Sequence, residues 1–454
     1  MNFTNIIKAL VVLILLMSTA QKLDAQGNGL LKEKDLEYLK KLTKVVLDSS
    51  RIYSGQIISK DFGPNNTGGT LIRPGGRDCY PSFWIRDYAM SLETGMISKS
   101  EQKHMLLLTA STQCNQTWIT KNGSMAPFGA IADHIRIDDS KPIYFPGTYD
   151  YNEQGTKEYG MTPPYDDQFF FIHMAHYYVT TTSDISILKH EINGIQLIDR
   201  LEIAFNVPPS HEDNQIVFST EEYRGVDFGF RDAITITGDL CFPSILKFRA
   251  AKELSSLFTR TNHKDKAMFY NKVAEKIKKA LPGLFLDHRG MLLASTGKSK
   301  QPDVWATALA VYYNVLNGDA QTKASEFLSE AYKKGLLSYH GNIRHILTSD
   351  DYDSTTAWEK TSVTKNNYQN GAYWGTPTGW LCFAIAKTNF SLAQKLAEEY
   401  IIDLRENDFR NGNGFGAPFE CFYPPGYKQN PLYLATVSCP YAVFESYRNF
   451  LKDH

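Results

Sequence analysis

Apolar residues recur at helical spacing along most of the chain, and the segments carrying them come in pairs joined by short turns. The first pattern begins near residue 30, where Leu36, Leu39, Leu42 and Val46 form a stripe widened by Tyr38 and Val45. Further helices are expected near 86–98 and 101–115, 165–182 and 185–205, 240–259 and 262–281, 302–317 and 319–336, 371–388 and 390–405, and 436–451. Strand-like alternation is scarce, no close repeat of the tetratricopeptide or ankyrin kind occurs, and no low-complexity linker divides the chain. A helical hairpin buries one stripe and must close on other hairpins. Six such hairpins predict an all-α fold, an (α/α)6 toroid formed by one domain over residues 26–454. Its long Gly- and aromatic-rich loops would then gather at one end.

The N-terminus is a separate object. Lys8 precedes the apolar run Ala9 to Met17, and small-residue cleavage sites follow at Ser18-Thr19-Ala20 and Leu23-Asp24-Ala25. This is the pattern of a signal peptide over residues 1–25, too short to anchor the chain in a bilayer. The expectation is an exported protein, periplasmic or secreted, a monomer, with no membrane anchor after cleavage. A formal net charge of −1 gives no basic field for nucleic acid. The six cysteines, at 79, 114, 241, 382, 421 and 439, are widely spaced, and several sit in apolar helical patterns where a buried free thiol is common. No CxxC and no paired-histidine spacing calls for a metal or cofactor.

Aromatic residues make up 13% of the chain, more than a core needs, and rings in excess of that often line sugar or base sites. The stretch Tyr223-Arg224-Gly225-Val226-Asp227-Phe228-Gly229-Phe230-Arg231-Asp232 sets two carboxylates and two arginines among rings and glycines, just before a long helix. Such a segment suits a pocket that moves a carboxyl pKa. Competing motifs fail. Gly297-Lys298-Ser299 lacks the first glycine of a phosphate-binding loop, and Asp350-Asp351-Tyr352-Asp353 lacks the calcium-loop glycine and closing glutamate. There is no G-x-S-x-G, and His173 and His176 read as packed or surface residues.

Four more loops mix rings with hydrogen-bonding groups. They are Phe83-Trp84-Ile85-Arg86-Asp87-Tyr88, Pro163-Pro164-Tyr165-Asp166-Asp167-Gln168, the run Tyr368-Gln369-Asn370 through Tyr373-Trp374 to Trp380, and Phe415 to Phe422 around Glu420. A sugar offers hydroxyls at its rim and C–H groups on its faces, so it needs this mixture.

In order, these loops resemble those of the six-hairpin glycoside hydrolases, the group of glucoamylase and trehalase. W-x-R-D resembles a glucoamylase motif and implies that Arg86 and Asp87 hold sugar hydroxyls, with Trp84 as a wall. Gly225-Val226-Asp227-Phe228 resembles the trehalase G-W-D-F, with Val226 in place of Trp, and implies Asp227 as general acid. Asp232 is then a second candidate acid, a sugar clamp, a partner for Arg231 or a helix cap. Tyr373-Trp374-Gly375-Thr376-Pro377-Thr378-Gly379-Trp380 resembles the W-D-x-P-N-G-W substrate loop without its Asp and Asn. Glu420 takes the place of the general base. The implied function is hydrolysis of a glycosidic bond with inversion, on a carbohydrate substrate also met by Asp166, Asp167, Gln168, Arg231, Gln369 and Asn370. A polysaccharide lyase on the same toroid and a non-catalytic glycan-binding protein are the alternatives.

Overall fold

The computed structural model describes residues 29–76, 80–412 and 416–453. The expected signal peptide, Cys79 and Phe415 lie outside these residues. Twelve α-helices are present among them: α1 (Glu33–Ser50), α2 (Ile85–Ser91), α3 (Lys99–Ser111), α4 (Asp166–Thr182), α5 (Leu197–Phe205), α6 (Cys241–Arg260), α7 (Lys264–Phe285), α8 (Val304–Tyr312), α9 (Gly318–Lys333), α10 (Thr378–Ala386), α11 (Phe390–Glu406) and α12 (Leu434–Asp453).

Hydrophobic pattern decides which helices go inside. In α8 and α10 nearly every residue is buried, and α4 is buried along its first ten residues, as expected of helices that are apolar all round. By contrast α1, α7, α9 and α11 bury one stripe and turn lysines and glutamates outward. The even-numbered helices pack in the sequence α2, α4, α6, α8, α10, α12 and back to α2, closing an inner ring. The odd-numbered helices lie against them as an outer layer, α7 on α6, α11 on α10 and α1 on α12. This is the (α/α)6 toroid. Inner helices pass to outer ones through short joints, whereas the returns from outer to inner helices are long. The loops that return therefore collect where the inner helices begin.

Short strands stiffen these loops. β1 (Ser82–Trp84) pairs antiparallel with β2 (His134–Arg136), setting Trp84 opposite His134, and β2 pairs with β3 (Pro142–Ile143). β4 (Phe419–Tyr423) and β5 (Tyr427–Pro431) form a hairpin with Cys421 opposite Gln429. Cys114, Cys241, Cys382, Cys421 and Cys439 are buried free thiols.

Four expected helices are shorter than their patterns; of these, 86–98 ends its α-helix at Ser91 and 302–317 is helical only over Val304–Tyr312. The segment 185–205 holds a 3-10 turn and a two-residue hairpin before α5, because Asn193 and Gly194 both take positive φ, at 50° and 76°. That is the Asn-Gly turn chemistry of a tight hairpin, and it ends helical propagation. The segment 371–388 becomes helical only at Thr378. Gly371 at φ 104° and bridges from Tyr373 to Phe422 and from Trp374 to Ile343 hold its first part extended.

Gly341 and Gly335 separate two costs of placing a side chain at positive φ. Both are left-handed, at 75° and 68°, but a Cβ on Gly341 would meet the Tyr400 backbone nitrogen at 2.3 Å, whereas one on Gly335 meets nothing within 4 Å. Gly335→Ala should cost about 1 kcal/mol of strain. Gly341→Ala should cost about 2–4 kcal/mol, because α11 must also move. Urea denaturation of both variants measures the difference.

Candidate active site

A cavity of about 340 Å³ opens at the end of the toroid where the inner helices begin, within the roughly 300–1,000 Å³ range of small-molecule sites. Its walls include Trp84, Arg86, Asp87, Asp232 and Glu420, the ring of Phe230, and the tyrosines Tyr80, Tyr149, Tyr159, Tyr368 and Tyr433. Arg86 and Asp87 stand in the first turn of α2, Asp232 follows a 3-10 turn ahead of α6, and Glu420 lies on β4.

Beneath the cavity floor Arg86 is buried and bound to three carboxylates. Its Nε donates to Asp166 at 2.9 Å, and its Nη2 donates to Asp133 at 2.7 Å and to Asp167 at 2.6 Å. Asp133 in turn meets His134 Nδ1 at 2.7 Å, and the His134 ring stacks on Trp84 with centroids 4.2 Å apart. Arg86 holds the Asp133 carboxyl below its ordinary pKa against the opposing effect of burial. Burial and the neighbouring carboxylates push Asp167 well above it. The backbone N–H of Gly229 also donates to Asp166, at 3.0 Å. A Cβ on Gly229 would lie 1.9 Å from Arg86 Nε, so only glycine lets this loop cross the guanidinium.

The cavity carboxyls are held differently. Both oxygens of Glu420 lie within reach of the Tyr80 hydroxyl, at 3.1 and 3.0 Å, and Asn430 Nδ2 donates to Oε2 at 2.7 Å. Burial raises the Glu420 pKa to about 8, with the nearby Asp87 and Asp232 adding to the shift and the hydrogen bonds from Asn430 and Tyr80 opposing it. Asp232 receives one side-chain donor, Gln369 Nε2 at 2.7 Å, and burial lifts it to about 6. Asp87 accepts from the Tyr433 hydroxyl at 2.6 Å and is raised to about 7, again chiefly by burial.

The sequence expectations divide on this geometry. Trp84, Arg86, Asp87, Asp232 and Glu420 line the cavity together. Asp227, expected there as the acid, does not. It is buried and receives Arg231 Nη2 at 2.5 Å, while Arg231 also binds Asp303, the residue that caps α8. Arg231 is therefore a buried ion-pair centre beneath the loop, its guanidinium lying over the Phe242 and Trp358 rings. Asp166 and Asp167 serve Arg86 from below, and Gln168 bonds the backbone of Ile131 and Pro164. Asn370 ties down the loop that brings Ser362 and Val363 to the wall, through Ala357 N–H and the Val363 carbonyl. Gln369 reaches the cavity only through Asp232. Trp374 is a core ring among Phe230, Trp305 and His345, Trp380 is buried on α10, and Tyr373 stacks on Tyr423 away from the cavity.

Sequence reasoning missed Tyr80, Tyr149, Tyr159, Tyr368, Tyr433 and His134. All lie in or at the ends of irregular stretches; the signal was the unusual length of the loops at 54–82 and 120–163 for Tyr80, Tyr149, Tyr159 and His134, and the ring-rich composition of its loop for Tyr368. Tyr80 and Tyr368 point inward because their backbones take positive φ, at 51° and 45°, which no pattern announces.

No family model matches the sequence, and no curated protein matches it. Solved structures do match in fold. A glucoamylase from Saccharomycopsis fibuligera superposes with a TM-score of 0.58 at 12% identity, covering 94% of this chain and 98% of that one. A rhamnosidase from Klebsiella oxytoca with rhamnose bound gives 0.53 at 12%, covering 91% of this chain and 64% of that one. A GH78 family rhamnosidase of Bacillus sp. GL1 gives 0.53 at 10%, covering 91% and 35%. The chain thus shares the (α/α)6 toroid fold of these structures and spans about two thirds and one third of the lengths of the two rhamnosidases.

Raised carboxyl pKa values carry a stability cost of defined sign. A folded-state pKa above the unfolded one means that the native state binds more protons, so stability falls as pH rises from the unfolded to the folded value. For Glu420 that window runs from the ordinary 4.5 to about 8. Glu420→Gln removes the charge that must otherwise be buried at high pH. Its melting temperature should exceed that of the wild type at pH 9, and the gain should shrink towards pH 5 in a calorimetric series.

Proposed function

We propose that the chain is a glycoside hydrolase that cleaves with inversion, with Asp232 as general acid and Glu420 as general base. One observation carries the reading: two carboxyls from separate loops, with raised pKa values, line one aromatic-walled cavity. The fold shared with a glucoamylase and two rhamnosidases supports it. Asp227 is the runner-up acid by sequence, but its carboxylate is engaged by Arg231 and lies off the cavity. A lyase would need a cation to neutralise a uronate, and the guanidinium in this wall is already bound by three carboxylates.

In this mechanism Asp232 gives its proton to the departing glycosidic oxygen while Glu420 takes one from water on the opposite face of the ring. The Tyr80 and Asn430 donors hold the Glu420 oxygens, which suits a base acting through water better than a nucleophile that must bond to the anomeric carbon. Trp84 and the tyrosines offer faces for sugar C–H groups, and Asp87 accepts from a hydroxyl.

Proton placement follows from opposing influences. Burial and neighbouring negative charge favour the proton on Glu420, whereas the two donors favour its anion. Catalysis uses the singly protonated site with the proton on Asp232 and the charge on Glu420. With Asp232 raised to about 6 and Glu420 to about 8, singly protonated forms prevail between those values, most of them with the proton on Glu420, and the reactive form is the minor one with the proton on Asp232. The profile of kcat/KM against pH should therefore be a bell with its maximum near 7.

A panel of aryl glycosides and natural disaccharides identifies the sugar, and NMR of the first product identifies its anomer, expected to be inverted. On the sugar so identified, Asp232→Asn and Glu420→Gln should each lower kcat by about 10²–10⁴. Asp232→Asn should keep most of its activity on the matching glycosyl fluoride, whose leaving group needs no proton, and Glu420→Gln should not. Unchanged hydrolysis in Asp232→Asn would remove the acid assignment, and a retained anomer would remove the inverting pair.

A further inference from the structure

Gln369 is buried, and its amide is held in one orientation. The Ala233 backbone N–H donates to its Oε1 at 2.8 Å. A backbone N–H can only donate, so the other end of the amide must be the NH2 group. That group donates to Asp232 Oδ1 at 2.7 Å and faces the Gly229 carbonyl at 3.4 Å. The Gln369 backbone is pinned as well, because Trp358 Nε1 donates to its carbonyl at 3.1 Å. The side chain cannot flip without leaving Ala233 N–H unpaired in the interior, at a cost of about 1–3 kcal/mol.

A fixed N–H aimed at Oδ1 has a chemical consequence. A neutral Asp232 with its proton on Oδ1 would set an O–H against an N–H. We propose that Gln369 is a positioning residue that reserves Oδ1 as an acceptor and confines the Asp232 proton to Oδ2. This rests on the reading of Asp232 as general acid, which needs its proton on a single oxygen turned to the leaving group. Gln369 touches no reacting atom in this role and acts only through Asp232.

The groups that bear on Asp232 electrically are Asp133 and Arg86 below it, Glu420 across the cavity, and Tyr159, Tyr368 and Arg224 around it. Tyr368 precedes Gln369 in the chain, but the side-chain amide of Gln369 bonds Ala233, Asp232 and Gly229 rather than these groups, so substitutions at 369 change the donor to Asp232 directly.

The test uses the full chain labelled with [13C]aspartate, the Asp232 carboxyl being assigned by its loss in Asp232→Asn. Gln369→Met removes the donor to the carboxylate, and the Asp232 titration should move up by about one pH unit, the equivalent of one hydrogen bond. Gln369→Glu keeps an acceptor for Ala233 N–H but sets a carboxyl against Oδ1, and should move it further in the same direction. A titration unchanged in both variants overturns the proposal. A second readout separates proton placement from simple packing. With the disaccharide cleaved by the wild type, Gln369→Met should lose about tenfold or more in kcat at constant KM, and less than about twofold with the matching glycosyl fluoride. Equal losses on both substrates overturn it. A wild type silent on every glycoside would instead remove the glycosidase reading, and the titration would still decide the role of Gln369.

Discussion

Arg86 is the point on which the loop end of the toroid depends. Its buried guanidinium joins Asp133 just before β2, Asp166 and Asp167 from the start of α4, and through Asp166 the Gly229 loop ahead of α6. The three returns that enter α2, α4 and α6 are thus tied to one side chain. Burying such a cluster is costly, and replacing it by apolar residues is often no less stable. Its value is directional. Each carboxylate accepts from a fixed donor, so the loops reach the cavity at set heights and angles. Apolar packing would hold them together without fixing them so closely.

A second ion-pair centre lies under the same loop. Arg231 links Asp227, four residues before it, to Asp303 at the start of α8, and the rings of Phe242 and Trp358 cover the guanidinium. Between the two centres the chain from Gly225 to Asp232 is held at both ends, and the next side chain, Asp232, emerges into the cavity. The loop's charges therefore do two jobs. Asp227 and Arg231 are spent on position, and Asp232 is the carboxyl that faces the cavity.

The fold was legible because its information is redundant. Twelve periodic stripes each reported the same thing, and the difference between all-apolar segments such as 304–312 and striped ones such as 264–285 even sorts inner from outer helices. The site was less legible because its information is not periodic. W-x-R-D located Trp84, Arg86 and Asp87 correctly at the cavity, since a helix start fixes what the next two side chains face. Glu420 reached it for a similar reason, being carried on a regular hairpin. The spread of tyrosines could not be read in this way. Tyr80 and Tyr368 owe their direction to left-handed backbone, and Tyr433 owes its role to a partner, Asp87, 346 residues away.

Asp227 and Asp232 show the same limit within ten residues. Composition makes them equal, and a short motif favours Asp227, because a motif registers which residues are adjacent but not which is already paired. The difference lies in the kind of partner and in where the carboxyl faces. The Asp227 carboxylate faces a guanidinium four residues along the chain, a pairing that a tight loop makes almost unavoidable once Arg231 is buried against Asp303. Asp232 accepts from the Gln369 amide, whose own orientation is dictated by a backbone N–H on the following residue, and it lies within the influence of the Asp133 and Arg86 charges. A guanidinium favours the carboxylate anion, yet burial outweighs it at Asp227, and both carboxyls are raised to about 6. What separates the two is place: Asp232 lies on the cavity wall, while the Asp227 carboxylate is held by Arg231 away from it.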